Sequence, residues 1–163
     1  MRFFKLFLIS IVVIALLLVV FSMVLPSHVR ISRAIDIKAP TEKIQSYISR
    51  LEDWRKWNAL LNDPAINFIS ADSQHIKTNR FDIYLRAVKT DSVHTLWIQP
   101  DGKAYNSQFA FTSSAGVTVV QWYFDFHFRW PWEKFGSLVY DQQMGPGMEK
   151  SLTELQRLVE TSP

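Results

Sequence analysis

The sequence predicts an α+β domain of antiparallel strands and two helices, carried behind a single membrane-spanning helix. Three observations predict it. The stretch Phe3 to Leu25 is apolar and has no charge after Lys5. From Arg80 to Arg129, apolar and polar residues alternate with a period of two, as half-buried strands require. From Leu138 to Val159 the spacing changes to three and four, the period of a helix with one buried face.

The first element is the anchor. Between Leu6 and Leu25 the only polar side chains are Ser10 and Ser22. A helix of about twenty residues at ~1.5 Å each spans the ~30 Å hydrocarbon core and satisfies its own backbone polar groups there. A cleaved signal peptide would have an apolar run of ~7–15 residues and a small-x-small cleavage site, and Ser22-Met23-Val24-Leu25-Pro26 offers none. The reading is an uncleaved, single-pass anchor over residues 1–26 and one domain over residues 27–163. Arg2, Lys5 and the amino terminus form a basic flank that keeps the N-terminus inside and the domain outside the cytoplasm. Arg30, Arg33, Lys38 and Lys43 on the other flank favour the opposite orientation; the first flank is given precedence because it is signal-like. The whole chain carries +3, two charges of which are Arg2 and Lys5, so the domain is nearly neutral and lacks a nucleic-acid footprint. There is no cysteine, which excludes disulfides, thiolate metal sites and thiol nucleophiles.

Pro26-Ser27 is nearly the whole linker, since Val29, Ile31, Ile35 and Ile37 alternate at once with polar residues in a first strand. Ala39-Pro40 ends it and opens an amphipathic helix, with Pro40 at the first helical position and an apolar stripe of Ile44, Tyr47, Ile48, Leu51 and Trp54 running to about Trp57. A short helical turn and a loop follow over Asn58 to Pro64, then a weak strand over Ile66 to Ser70. Phe81, Ile83, Leu85 and Ala87 share one face of the next strand. Val93 to Gln99 shows no clear alternation and reads as a strand covered on both sides. After the turn at Pro100-Asp101-Gly102, Tyr105, Phe109 and Phe111 share a face; after the Ser113 to Gly116 turn, so do Val120, Trp122, Phe124, Phe126 and Phe128. Trp130-Pro131-Trp132 breaks that strand. A long helix covers about Glu133 to Glu160, with a kink or a division into two helices expected at Gly145-Pro146-Gly147.

The polar residues carry little catalytic signal. His28, His75, His94 and His127 lack metal-ligand spacing, so no metal and no cofactor is expected. Asp125 and His127 share a strand face and are either an acid/base pair or a surface pair. Arg33 falls by parity among the apolar residues of the first strand, and needs an anionic ligand or a structural partner such as Asp141 or Glu149.

Several segments are similar to one known family. Arg33-Ala34-Ile35-Asp36-Ile37-Lys38-Ala39-Pro40 resembles its opening strand and helix start, and Leu51-Glu52-Asp53-Trp54-Arg55-Lys56-Trp57 its L-x-x-W-x-x-W helix end. Val119-Val120-Gln121-Trp122 resembles its last strand, and Met148 to Leu155 its final helix. By these the chain resembles a membrane-anchored member of the START-like SRPBCC superfamily, the polyketide cyclase/dehydrase and lipid-transport group. It departs from many relatives at Asp72 to Thr78, a short segment without glycine, which leaves the third strand undetermined. The resemblance implies the helix-grip fold, a curved antiparallel sheet wrapped around the long C-terminal helix, with first and last strands paired and an apolar cavity inside. The residues placed to line that cavity, or equally to fill it, are Arg33, Trp54, Trp57, Phe81, Leu85, Trp97, Phe109, Phe111, Trp122, Phe124, Tyr140 and Met148.

Three functions fit. The leading one is a membrane-tethered, non-catalytic binder or carrier of a lipid-like apolar ligand. A cyclase- or hydrolase-type enzyme would need two or more titratable groups converging in the cavity; by parity only Arg33 and Tyr140 qualify. A ligand-free domain would work through protein contacts at the membrane. Trp130 and Trp132, at the end of the last strand, either lie at the headgroups, where the implied strand pairing brings them and tryptophan is favoured, or cap the core. Quenchers attached at headgroup level are therefore expected to reduce tryptophan emission; emission from Trp130 and Trp132 that ignores them would refute the interfacial placement.

Overall fold

The first strand of the domain pairs with the last, and the long C-terminal helix closes the sheet between them. The computed structural model describes residues 2–24, 26–128 and 131–162, without the side chains of residues 2, 131, 132 and 135–139. Trp130, the side chain of Trp132 and the Leu138 side chain of the helical stripe lie outside the described residues. The elements are α1 (Arg2–Val24), β1 (His28–Ile37), α2 (Thr41–Ile48), a 3₁₀ segment (Leu51–Lys56), β2 (Phe68–Ala71), β3 (His75–Thr78), β4 (Asp82–Lys89), β5 (Ser92–Ile98), β6 (Ala104–Ser114), β7 (Val117–His127) and α3 (Pro131–Thr161). All strand pairs are antiparallel, in the order β1-β7-β6-β5-β4-β3-β2. This is the α+β helix-grip fold that the family resemblance implies.

The β1–β7 ladder runs from His28 opposite His127 to Ile37 opposite Thr118. Strand parity on β7 holds throughout: Val120, Trp122, Phe124, Phe126 and Phe128 are all buried. The β6–β7 turn is tighter than expected. Only Ala115 and Gly116 separate the strands, both at positive φ (50° and 81°), the geometry of a two-residue hairpin whose twist matches its flanking strands.

Five expectations need correction. Pro40 precedes the first helical residue as its N-cap instead of occupying the first turn. The amphipathic helix stops at Ile48, because Arg50 adopts an extended backbone and Leu51 N–H bonds Ser73 O; the chain resumes as 3₁₀. The stripe survives the change of winding, with Ile44, Ile48, Leu51, Trp54 and Trp57 all buried. In β4 a register shift between Leu85 and Ala87 adds one residue, so Ala87 pairs with His94 on the outer face and does not continue the Ile83 face. β5 does alternate, with Val93, Thr95 and Trp97 buried and His94, Leu96 and Ile98 partly exposed; a threonine inside and aliphatics outside hide the period. Finally, α3 is one helix through Pro146, not two in series. Proline there removes one helical N–H, but Gln142, whose carbonyl would have accepted it, is exposed to water. The undetermined third strand forms as β3, buried at Ile76 and Thr78.

Helix α3 also protects the free edge of β1. Gln156 Nε2 donates to Asp36 O (2.9 Å), and Glu160 Oε1 accepts from Lys38 N–H (2.9 Å). Outside the sheet, Phe3–Val24 is long and apolar enough to cross a membrane and is exposed along almost all its length. Ser22 is the buried exception, its hydroxyl turned back on Val19 O (2.7 Å), and α1 touches α3.

Phe109 sits at the centre of the packed half, stacked on Trp122 (centroids 4.8 Å) and edge-on to Trp54 and Trp57. Phe109→Ala is expected to lower stability by about 3–5 kcal/mol, read from urea unfolding of the full chain.

Candidate functional site

Aromatic residues run along the interior from a filled end to an open one. At the filled end Trp54, Trp57, Phe109 and Trp122 are at most 1% exposed. Small polar residues beneath the indoles explain how so many large rings fit. Trp122 Nε1 donates to Ser107 Oγ (2.7 Å) and Trp97 Nε1 to Thr95 Oγ1 (3.3 Å), while Trp54 Nε1 reaches Ile48 O (2.8 Å). At the other end the chain of rings continues through Trp97, Phe124, Phe126 and Tyr140 (5.2, 6.0 and 5.0 Å between successive centroids, the first from Trp97 to Phe124). There it borders a cleft of about 310 Å³ between β5–β7, the turn joining β3 to β4, the loop after the 3₁₀ segment, and α3. Its volume lies at the low end of the ~300–1,000 Å³ usual for small-molecule sites.

The apolar wall comprises Leu60, Ile66, Phe81, Trp97, Phe124, Phe126 and Met144, and the polar margin Asp63, Arg80, Gln99, Tyr105, Tyr140 and Gln143. Of the twelve candidates chosen from the sequence, Phe81, Trp97, Phe124 and Tyr140 border the cleft. Trp54, Trp57, Phe109, Phe111, Trp122 and Met148 belong to the packed core, and Leu85 packs against it. Residues Leu60, Asp63 and Ile66 lie in a loop without periodicity. Tyr105 and Phe126 carried a signal, since each shares strand parity with buried aromatics.

Arg33 is not at the cleft. Its guanidinium bonds Asp141 (2.9 Å) and Glu149 (2.7 Å), one helical turn either side of Gly145, and Ser32 O (2.9 Å). The close approach needs glycine: a Cβ on Gly145 would lie 2.2 Å from Arg33 Nη2. Asp125 and His127 do not form an acid/base pair either. Asp125 takes both arms of Arg30 (2.7 and 2.9 Å), and His127 packs edge-on against His28 (centroids 4.2 Å).

Two features give the interior its polarity. Tyr105 OH donates to Gln99 Oε1 (3.2 Å) beside the Tyr140 hydroxyl, with the Lys103–Glu133 ion pair (3.3 Å) nearby. Burial, reinforced by Tyr140, pushes the Tyr105 phenol well above its ordinary pKa, so it is a neutral hydrogen-bonding group and not a base. Deeper in, Trp57 Nε1 and Asn58 Nδ2 are buried donors with no partner among the described residues, as is His75 Nε2 on β3. A buried donor left so costs about 1–3 kcal/mol.

Residues 28–160 match the family described as polyketide cyclase / dehydrase and lipid transport. Family and fold are those of ligand-binding and cyclase-like domains. Three solved structures share the fold. One is a START superfamily protein from Mycobacterium smegmatis, 17% identical over 80% of this chain and 97% of that one, with a TM-score of 0.55. Another is truncated norcoclaurine synthase from Thalictrum flavum, 12% identical over 83% and 96%, TM-score 0.57. The third, a protein of the dynemicin biosynthetic locus, is 16% identical over 83% of this chain, TM-score 0.57; the chain spans about half of its length (48%). No curated protein matches the sequence.

The Tyr105 environment makes a pH prediction. A phenol whose folded pKa is raised loses its proton first in the unfolded state, so its contribution is complete below the unfolded value of ~10 and is lost as pH rises beyond it. The urea midpoint is expected to fall above pH 10, and Tyr105→Phe to flatten that fall; an unchanged pH slope in the variant would refute the assignment.

Proposed function

The chain belongs to the polyketide cyclase / dehydrase and lipid transport family, and on that premise we propose that it is a membrane-tethered, non-catalytic binding or carrier domain for an apolar, lipid-like ligand. The observation that carries the reading is the cleft of about 310 Å³, walled by aliphatic and aromatic side chains and edged by Gln99, Tyr105, Tyr140 and Gln143, with Asp63 and Arg80 as its two charged residues. Such a site gains affinity from burying apolar surface, at roughly 25 cal/mol per Å², and orientation from its hydroxyls.

The position of the cleft supports membrane access. Phe126 pairs with Val29, the second residue of β1, so the open end of the interior is the end at which the chain arrives from α1. With α1 in the bilayer, the short Pro26-Ser27 linker would hold that end near the headgroups, and exchange of ligand would be confined to the membrane surface. The basic flank of Arg2 and Lys5 supports a domain outside the cytoplasm, a reading preferred over the opposite one that Arg30, Arg33, Lys38 and Lys43 favour. Against catalysis stands the chemistry of the margin: Tyr105 stays protonated, and Asp63 Oδ1 is already engaged by Ala65 N–H (2.8 Å).

Native mass spectrometry of the full chain released gently from membranes is expected to show a retained lipid-like adduct. Met144→Trp, which adds bulk to the cleft wall, is expected to reduce the adduct at least tenfold. Repeated adduct-free spectra of the unaltered protein would overturn the reading.

A further inference from the structure

We propose that the cleft continues past Leu60 into a deeper subsite, where the Trp57 indole N–H and the Asn58 side-chain amide donate to one uncharged carbonyl oxygen of the bound apolar ligand. The inference rests on the cleft being a ligand site, and adds to it the chemical class of the ligand.

Trp57 is the exception among the core indoles. Those of Trp54, Trp97 and Trp122 each find an acceptor within the domain, at Ile48 O, Thr95 Oγ1 and Ser107 Oγ. Trp57 is 1% exposed, and its N–H has no acceptor among the described residues. Asn58, the next residue, is fully buried and has a spare donor of the same kind. Its orientation is fixed, because the Leu60 backbone N–H (3.1 Å) can bond only to an oxygen and so assigns Oδ1; the Ser151 hydroxyl adds a contact to that oxygen at 3.4 Å. The amide nitrogen is therefore the side left over. Two neighbouring buried donors without acceptors ask for an oxygen from outside the chain.

Neither donor carries charge, and this selects the acceptor. A carboxylate or phosphate would bring a buried negative charge with no cation among these partners, whereas a ketone or ester oxygen needs only hydrogen bonds.

Leu60 touches both the cleft and Asn58. Its side chain forms part of the cleft wall, and its backbone is tied to Asn58. The same side chain lies against α3 at Gly147, where a Cβ would sit 2.3 Å from Leu60 Cδ2. Ser151, one turn along, donates to Gly147 O (2.6 Å) and accepts from Ala59 N–H (2.9 Å), so the backbone on both sides is held. A rotamer change of one leucine side chain, with the backbone fixed, is the opening step.

The test uses the full chain in phosphatidylcholine nanodiscs with two probes of matched length, 2-nonanone and nonane. Both are expected to shift the Met144 methyl resonance. The ketone alone is expected to shift the Trp57 indole and Asn58 amide resonances, and to bind about three- to tenfold more tightly, the worth of one or two neutral hydrogen bonds. Trp57→Phe should abolish that advantage and leave nonane unaffected; if the variant does not fold, the resonances of the unaltered protein still decide. Equal affinities with the Trp57 and Asn58 signals unmoved, or an indole N–H that keeps its water cross-peak with the ketone bound, would overturn the subsite and leave the cleft standing. Failure of both probes to bind would overturn both.

Discussion

The pairing of β1 with β7 is the interaction on which the rest of the structure depends. It joins the first strand of the domain to the last across most of the sequence, and its register sets His28 against His127. Two consequences follow from that one register. The chain leaving α1 and the chain entering α3 are brought to the same end of the sheet. The inner face of β7, with its five alternating aromatic and aliphatic residues, is fixed opposite the helix that must cover it. Long-range pairing of this kind is entropically expensive to close. It is stabilised here by the ladder itself and by the apolar surface that α3 buries against it.

Inside, the distribution of small residues decides what is solid and what is open. Ser107 and Thr95 sit where larger side chains would collide with the indoles of Trp122 and Trp97, and they also accept those indoles' hydrogen bonds. One substitution pattern thus solves a volume problem and a polarity problem together. On α3, Gly145 and Gly147 do the corresponding work by leaving room for Arg33 and Leu60. Beside Phe126 and Tyr140, whose rings lie 5.0 Å apart, the interior opens into the cleft.

Much of this was legible in the residues. β7 announces itself because Trp122, Phe124, Phe126 and Phe128 alternate with Tyr123, Asp125 and His127, and the parity of Arg33 pointed to its partners on α3. What failed did so for physical reasons. β5 hides its period because Thr95 is inside and Leu96 and Ile98 face outward. The extra residue in β4 shifts parity without a glycine to mark it. The site was the least readable part. Strand periodicity says that Trp122 and Phe126 point inward, but not that one is enclosed while the other borders a space. That distinction depends on where Leu60 and Ile66 fall, residues between the 3₁₀ segment and β2 whose placement beside the cleft no local pattern encodes.

The two side-chain bonds from α3 to the outer edge of β1 bear on how the protein behaves among its own copies. An edge strand of ten residues is a template onto which a neighbour can add a strand. In the proposed membrane-tethered state, molecules would be confined to two dimensions, which raises the frequency with which such edges meet. With Asp36 O and Lys38 N–H already engaged by Gln156 and Glu160, an incoming strand cannot pair with that end of the edge without displacing both side chains. Strand addition there competes directly with the contacts that hold the end of α3 to β1.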